Sequence, residues 1–247
     1  MLKNSVDRIC DLISDKDIVL DVGGWACPFN RANYVLDSEP YETRGYYSKI
    51  GRESFVGPKK EFFSKETWIQ IDICGHKPWP FPDKFFDWAI CSHVLEDIRD
   101  PLFVCQELSR VAKRGYIEVP SRLWESCRGI ESSNSVGLSH HRWLIELASD
   151  NQLLFLMKYG GIHSHWKYSF PKRFLNEMDD DKKYITLWWD NEIISKEVTI
   201  HGLENQLSEL ENFIETRRPY TWFSKTVDRN AKAFSRLVGR FVNKIFR

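Results

Sequence analysis

The stretch that decides the fold is residues 86–120, "FDWAICSHVLEDIRDPLFVCQELSRVAKRGYIEVP". It opens on "FDWAICS" (86–92) and closes on "GYIEVP" (115–120), two runs that are continuously apolar at their centres rather than alternating. Strands covered on both faces, as in a parallel sheet, have that pattern. Between them, "DPLFVCQELSRVAKRG" begins with Asp100 as N-cap and Pro101 at the first helical position. Leu102, Val104, Cys105, Leu108, Val111 and Ala112 recur at threes and fours. Lys113 and Arg114 complement the helix dipole in the last turn, and Gly115 is expected to end the helix. A strand–helix–strand unit of this kind implies a right-handed crossover, and hence an α/β fold.

Further strands are expected at 17–22, 33–37, 68–72 and 153–160. Val6, Ile9, Cys10 and Ile13 predict an amphipathic helix over 5–14. "SHHRWLIELASDN" (139–151) reads as a helix capped by Ser139, and 184–200 as a hairpin turning near Asp190-Asn191. Residues 38–66 and 121–138 are polar and irregular, which makes them candidate active-site loops. Tyr41, Tyr46, Tyr47, Trp124 and Glu125 are the acceptor contacts those loops offer, with Arg142 and Trp143 beyond them.

At 247 residues the chain can bury a substantial core. Its formal net charge is zero, which gives no argument for nucleic-acid binding. The six cysteines are scattered singly, without a CxxC pair, as expected in a reducing compartment. The first residues lack a signal peptide's apolar centre, and no run approaches the roughly 20 apolar residues of a membrane span. A soluble, cytoplasmic protein is expected. Residues 201–219 read as an acidic helix. Residues 225–247 carry seven Lys/Arg against one Asp on an amphipathic helical pattern. That basic helix suits docking on its own domain or on a second copy in a homodimer. Its other uses are a protein partner or an anionic membrane surface.

In an open parallel sheet, ligands bind at the carboxyl ends of the strands. Here those ends deliver Asp21, Gly23, Gly24 and Trp25, then Asp37, then Asp72 and Ile73, then Ser92 and His93, and finally Glu118, Pro120 and Ser121. Glycines after the first strand let backbone approach a ligand. A carboxylate ending the second strand can accept from a ribose diol. Acidic groups at three tips argue against a phosphate ligand and for a cationic or hydroxyl-rich one, such as adenosine carrying a sulfonium.

The segment "QIDICGHKPWPFPDKFFDWAICSHVLEDIRDPLFVCQELSRVAKRGYIEVP" resembles the central part of class I S-adenosylmethionine-dependent methyltransferases, in particular the small-molecule, type 11-like branch. The resemblance rests on Asp72, Pro80-Phe81-Pro82-Asp83, Phe86-Asp87, His93-Val94-Leu95-Glu96, Asp100-Pro101, Glu107-Leu108, Arg110-Val111, Lys113 and Pro120. It implies a Rossmann-like, mostly parallel twisted sheet with helices on both faces over residues 1–200, followed by a helical C-terminal extension over 201–247. It also implies S-adenosylmethionine as cofactor, with Asp21, Gly23, Gly24 and Trp25 near the methionine moiety. Asp37 falls on the ribose, Asp72 and Ile73 at the adenine, and Ser92 with His93 beneath the sulfonium. Two departures stand out. The turn is "DVGGWACPF" rather than alternating glycines, and only fifteen residues separate Asp21 from Asp37, too few for the usual helix.

Methyl transfer needs alignment above all, and a base helps if the acceptor is a hydroxyl. The candidates for the acceptor end are His93, His140 and His141. The pairs His140-His141 and His163-His165 could also surround a metal ion, or serve only as a cap and a loop lining. Neighbours on a helix point in different directions, so no metal site is expected. The expected activity is transfer to a small-molecule or glycan-type acceptor, on oxygen. A catalytically inactive scaffold of the same fold is the rival reading, favoured by the altered turn.

Overall fold

The computed structural model describes residues 1–52, 55–132 and 135–217. These fall into two compact units. One comprises Met1–Glu125, His140–Lys158 and Asp179–Thr199; the other comprises Ser126–Ser139, Tyr159–Met178 and, among the described residues, 200–217.

The first unit is built on a six-stranded sheet. Its strands are β1 (Val19–Val22), β2 (Tyr34–Asp37), β3 (Trp68–Gln70), β4 (Phe86–Ser92), β5 (Ala112–Pro120) and β8 (Tyr184–Asp190), in the order β3-β2-β1-β4-β5-β8. All neighbours are parallel except β8, which runs antiparallel to β5. Period-two alternation sorts the apolar side chains onto two faces. Leu20, Val22, Leu36, Ala89, Cys91, Ile117 and Val119 share one buried cluster with the helix Pro101–Val111. Val19, Val35, Trp88, Ile90 and Tyr116 share the other with Ile9 and Ile13, on and just past the helix Lys3–Leu12. The chain thus has an α/β fold with a largely parallel sheet covered on both faces.

The helix Pro101–Val111 starts as its sequence indicates: the Asp100 side chain accepts from Phe103 N–H at 2.9 Å, and Pro101 follows. It ends sooner than expected. β5 begins at Ala112, and Gly115 lies inside the strand rather than at the helix terminus. Lys84 is the reason the helix can stop there. Its backbone N–H meets Arg110 O at 2.7 Å and its ammonium bonds Ser109 O and Ala112 O, satisfying carbonyls that another helical turn would otherwise have used.

Between β1 and β2 there is no helix. A second extended segment takes its place: Asn30 N–H meets Val56 O, Val56 N–H meets Pro28 O, and Phe62 N–H meets Asn30 O. Phe29, Ala32 and Phe63 then fill the space a helix would occupy.

Two other expectations are corrected. Residues 139–151 form no helix; Trp143–Leu147 is β6, paired antiparallel with β7 (Leu153–Met157). Asn151, at φ 62°, turns the chain, and the Glu96 carbonyl accepts from Arg142 and Trp143, holding the start of β6 in extended form. Likewise 184–200 is not a hairpin. The chain does turn at Asn191 (φ 65°), but β8 stays on β5, while β9 (Ser195–Glu197) joins β7 in a separate three-stranded sheet. Burial of Ile193, whose N–H meets Ser109 Oγ at 2.8 Å, draws the chain away from β8.

In the second unit, the helix Leu203–Arg217 buries Leu210, Phe213 and Ile214, with Phe213 edge-on to Phe170. It lies within the acidic segment expected to be helical. The basic segment 225–247 lies outside the described residues. Among the described residues no helix is long and apolar enough to cross a membrane.

Candidate active site

The turn after β1 is held by two buried carboxylates. Asp21 Oδ2 accepts from Phe29 N–H at 2.8 Å, while Asp37 accepts from Trp25 N–H at 3.0 Å and from Glu39 N–H at 2.9 Å. Burial pushes the Asp21 carboxyl up to about 7, with the Phe29 N–H opposing the rise and the Asp37 charge adding to it. Burial also raises Asp37, against the pull of its backbone donors. A carboxylate has about four acceptor sites, so Asp37 retains capacity for a ribose diol.

The glycine pair is required by space. Gly23 sits at φ 77°, and a Cβ there would lie 2.3 Å from Val94 Cγ2. At Gly24 it would lie 2.2 Å from Asp21 Oδ2. Trp25 is half-buried against the cluster that holds Val19 and Phe29, stacking on Tyr46 at 5.0 Å and donating to Thr43. Held there, the large side chain at this position is not part of the lining of the cavity above the turn.

Above the turn is a cavity of about 130 Å³, lined by Met1, Asp21, Gly23, Gly24, Ala26, Cys27, Phe29, Tyr47, Val56, Ser92 and His93. Ser92 Oγ is buried with no hydrogen-bond partner. Enclosed hydroxyls seldom stay unpaired, so this one is suited to a ligand atom.

His93 takes a left-handed backbone conformation (φ 56°) at the tip of β4, a strained position for a non-glycine residue. Its N–H meets Glu118 O, its Nε2 lies 3.2 Å from Glu118 Oε1, and its Nδ1 lies 3.3 Å from Glu96 Oε1. Burial alone would depress this imidazole, but the two carboxylates lift it to about 9. Glu118 shows the converse: burial opposes ionisation, yet His93, the N-terminal ammonium, Leu2 N–H and Tyr116 OH bring it down to about 2.

These shifts have opposite signs in stability. The pairing of Glu118 contributes above about pH 4.5 and is lost as pH falls through 2. Folded Asp21 retains a proton that the unfolded chain has released above about 4, so its ionisation lowers stability as pH rises through 7. The pairing of His93 contributes fully below about 6.5 and is lost as pH rises through 9. Thermal melts should therefore show the Asp21-linked part of a midpoint fall between about pH 4 and 7 and the His93-linked part between 6.5 and 9, the latter absent in His93→Gln. A flat wild-type profile would contradict the assignment.

Asp72 and Ile73 stand apart from the cavity lining. Asp72 is exposed and pairs with Arg99 at 2.6 Å, which holds its carboxyl below the usual range. Ile73 is buried, and its carbonyl accepts from Trp79 Nε1. His140 and His141 sit in the turn before β6, their rings 4.7 Å apart. Glu125 is fully buried, with one oxygen on His141 Nδ1 and the other on Lys158 Nζ, both at 2.7 Å. Tyr47 lines the cavity, whereas Tyr41 packs edge-on to Trp68. Trp124 lies 6.5 Å from the His141 ring. His163 and His165 belong to the second unit.

Sequence reasoning missed the lining residues Met1, Ala26, Cys27, Phe29 and Val56, and the part played by Glu96 and Glu118. Glu118 was legible as a strand-tip acid. The others come from loops or the N-terminus, whose path no periodicity indicates.

Residues 53–117 match the family model described as a methyltransferase domain. No curated protein matches the chain. Similar solved structures include a protein from Pyrococcus horikoshii (14% identity, 74% of this chain and 86% of that one, TM-score 0.43). A methyltransferase from Methanosarcina mazei matches at 16% identity over 56% of this chain and 85% of that one, with TM-score 0.34. One from Mesorhizobium loti matches at 12% identity over 63% of each chain, with TM-score 0.33. With several others the match spans about half the length of the solved chain. S-adenosylmethionine is the cofactor this domain implies, and the paired glycines and unpartnered Ser92 hydroxyl fit such a group. From its strand order and the domain match across β3 to β5, the chain carries a class I S-adenosylmethionine-dependent methyltransferase fold.

Proposed function

We propose that this chain transfers a methyl group from S-adenosylmethionine to a small-molecule or glycan-type acceptor, on a hydroxyl oxygen. The observation that carries the reading is one cavity lined by Asp21, Gly23, Gly24, Ser92 and His93, with the enclosed Ser92 hydroxyl lacking a hydrogen-bond partner. When bound, the cofactor supplies an electrophilic methyl on a sulfonium. Gly23 and Gly24 admit its methionine end, with Asp21 and Trp25 shaping the turn. Asp37 takes the ribose, and Asp72 with Ile73 the adenine side. Ser92 supplies a hydrogen bond at the tip of β4.

His93 holds its proton at neutral pH, so it serves as a fixed donor and positive charge rather than as a base. Alignment carries most of the rate in an in-line methyl transfer. We assign His140 and His141, which lie beside Asp97, to the acceptor end, together with the cavity-lining Tyr47.

The test is incubation of the whole chain with methyl-labelled S-adenosylmethionine and a panel of hydroxylated small molecules and glycans. Labelled ether formed in equal amount to S-adenosylhomocysteine supports the proposal; label on nitrogen or carbon acceptors alone would overturn the oxygen assignment. The inactive-scaffold reading is favoured by Asp37 already accepting two backbone donors and by Asp72 being paired with Arg99. It predicts no label in any acceptor.

A further inference from the structure

We infer that Asp97, His140 and His141 form a binding site for one divalent cation of the zinc class. Asp97 Oδ1 lies 3.6 Å from His141 Nε2 and 3.9 Å from His140 Nε2, and one donor atom from each residue falls within 4.8 Å of the others. Donors around a tetrahedral ion with bonds of about 2.0–2.1 Å stand roughly 3.3 Å apart. Small side-chain movements therefore close the set on an ion.

Two independent observations point to a missing partner at the centre. The His141 side chain is only 5% exposed, and its Nε2 faces Asp97 at a separation too long for a hydrogen bond. Asp97 Oδ1 is itself enclosed and has no hydrogen-bond partner.

The surroundings are those of a metal ligand's support. Glu125 Oε1 holds His141 Nδ1 at 2.7 Å, fixing the ring so that Nε2 points to Asp97 and His140. Carboxylates placed behind a ligating histidine orient the ring and raise its basicity. Lys158 in turn fixes Glu125 at 2.7 Å. Glu96, adjacent in sequence to Asp97, is fully buried with its Oε1 3.3 Å from His93 Nδ1, and places a further acidic group next to the site. Two imidazoles and one carboxylate suit a borderline ion such as zinc, cobalt or nickel better than magnesium or calcium. His140 is 60% exposed, which leaves coordination positions open to water or to an acceptor oxygen. The histidines were expected to diverge along a helix; as they precede a strand instead, both reach one carboxylate.

The site is tested apart from methyl transfer. The purified whole chain is stripped with chelator, titrated with zinc, and then with cobalt to read the visible ligand-field bands. The expected result is one equivalent bound, with Asp97→Asn and His140→Ala each weakening it at least tenfold. Glu125→Gln should weaken it by about 10–100-fold while the ligands remain in place. Circular dichroism confirms folding, and the exposed His140→Ala variant keeps the test valid if substitution of buried His141 or Glu125 unfolds the chain. Absence of stoichiometric zinc, or affinity unchanged in Asp97→Asn and His140→Ala, would overturn the site. So would loss of zinc in His163→Ala in place of those variants.

Discussion

Gly24→Ala should weaken binding of S-adenosylhomocysteine at least tenfold and lower stability as well. A Cβ at this position would lie 2.2 Å from Asp21 Oδ2 and 2.9 Å from its Cγ, closer than real contacts allow. Asp21 cannot yield without cost, because it is buried and its Oδ2 accepts from Phe29 N–H. Displacing it strands a buried donor, which costs about 1–3 kcal/mol. The same movement tilts the backbone beside Gly23, where φ 77° already excludes most side chains. Calorimetric affinity and thermal melting of the variant should therefore fall together. Wild-type affinity in Gly24→Ala would mean that the ligand does not approach this turn.

The largest effect on stability is expected at Gly115. It lies within β5, between β4 and β8, where Ala89 and Trp189 are its register partners. An added Cβ would meet the Ala89 carbonyl oxygen at 2.1 Å and the Trp189 ring at 2.6 Å. The first of these is backbone in a parallel ladder and cannot rotate away. Overpacking of this kind typically costs 1–3 kcal/mol and occasionally more; with strand separation at stake, Gly115→Ala should lose about 3 kcal/mol. Denaturant unfolding would check it. A shift below about 0.5 kcal/mol would show that β4 and β5 are not in the register described.

Gly115 also shows where sequence reasoning stopped. After Lys113-Arg114 it reads as a helix terminator, because local rules place glycine there. The helix instead ends at Val111, because Lys84, distant in sequence, takes up its terminal carbonyls. The strands β1, β2 and β4 were legible because their apolar runs are continuous and buried on both faces. "WLIEL" was not: over five residues, helical and extended burial look alike, and the deciding hydrogen bonds come from the Glu96 carbonyl. The same limit hid the Asp97–His140–His141 cluster, which depended on that strand assignment. In the candidate site, strand position alone indicated Asp21, Gly23, Gly24, Ser92 and His93. The protonation of His93 was not legible, since it depends on Glu118 in β5 and Glu96 in the turn after β4 converging on one ring.

We place S-adenosylmethionine at the strand tips around Gly23, Gly24 and Ser92. Calorimetric titration of the whole chain with S-adenosylhomocysteine tests that placement most directly, alongside Asp37→Ala. Saturable one-to-one binding, weakened at least tenfold in the variant, is expected. A folded wild-type chain that takes up no ligand, or a variant that binds as tightly as wild type, would contradict it.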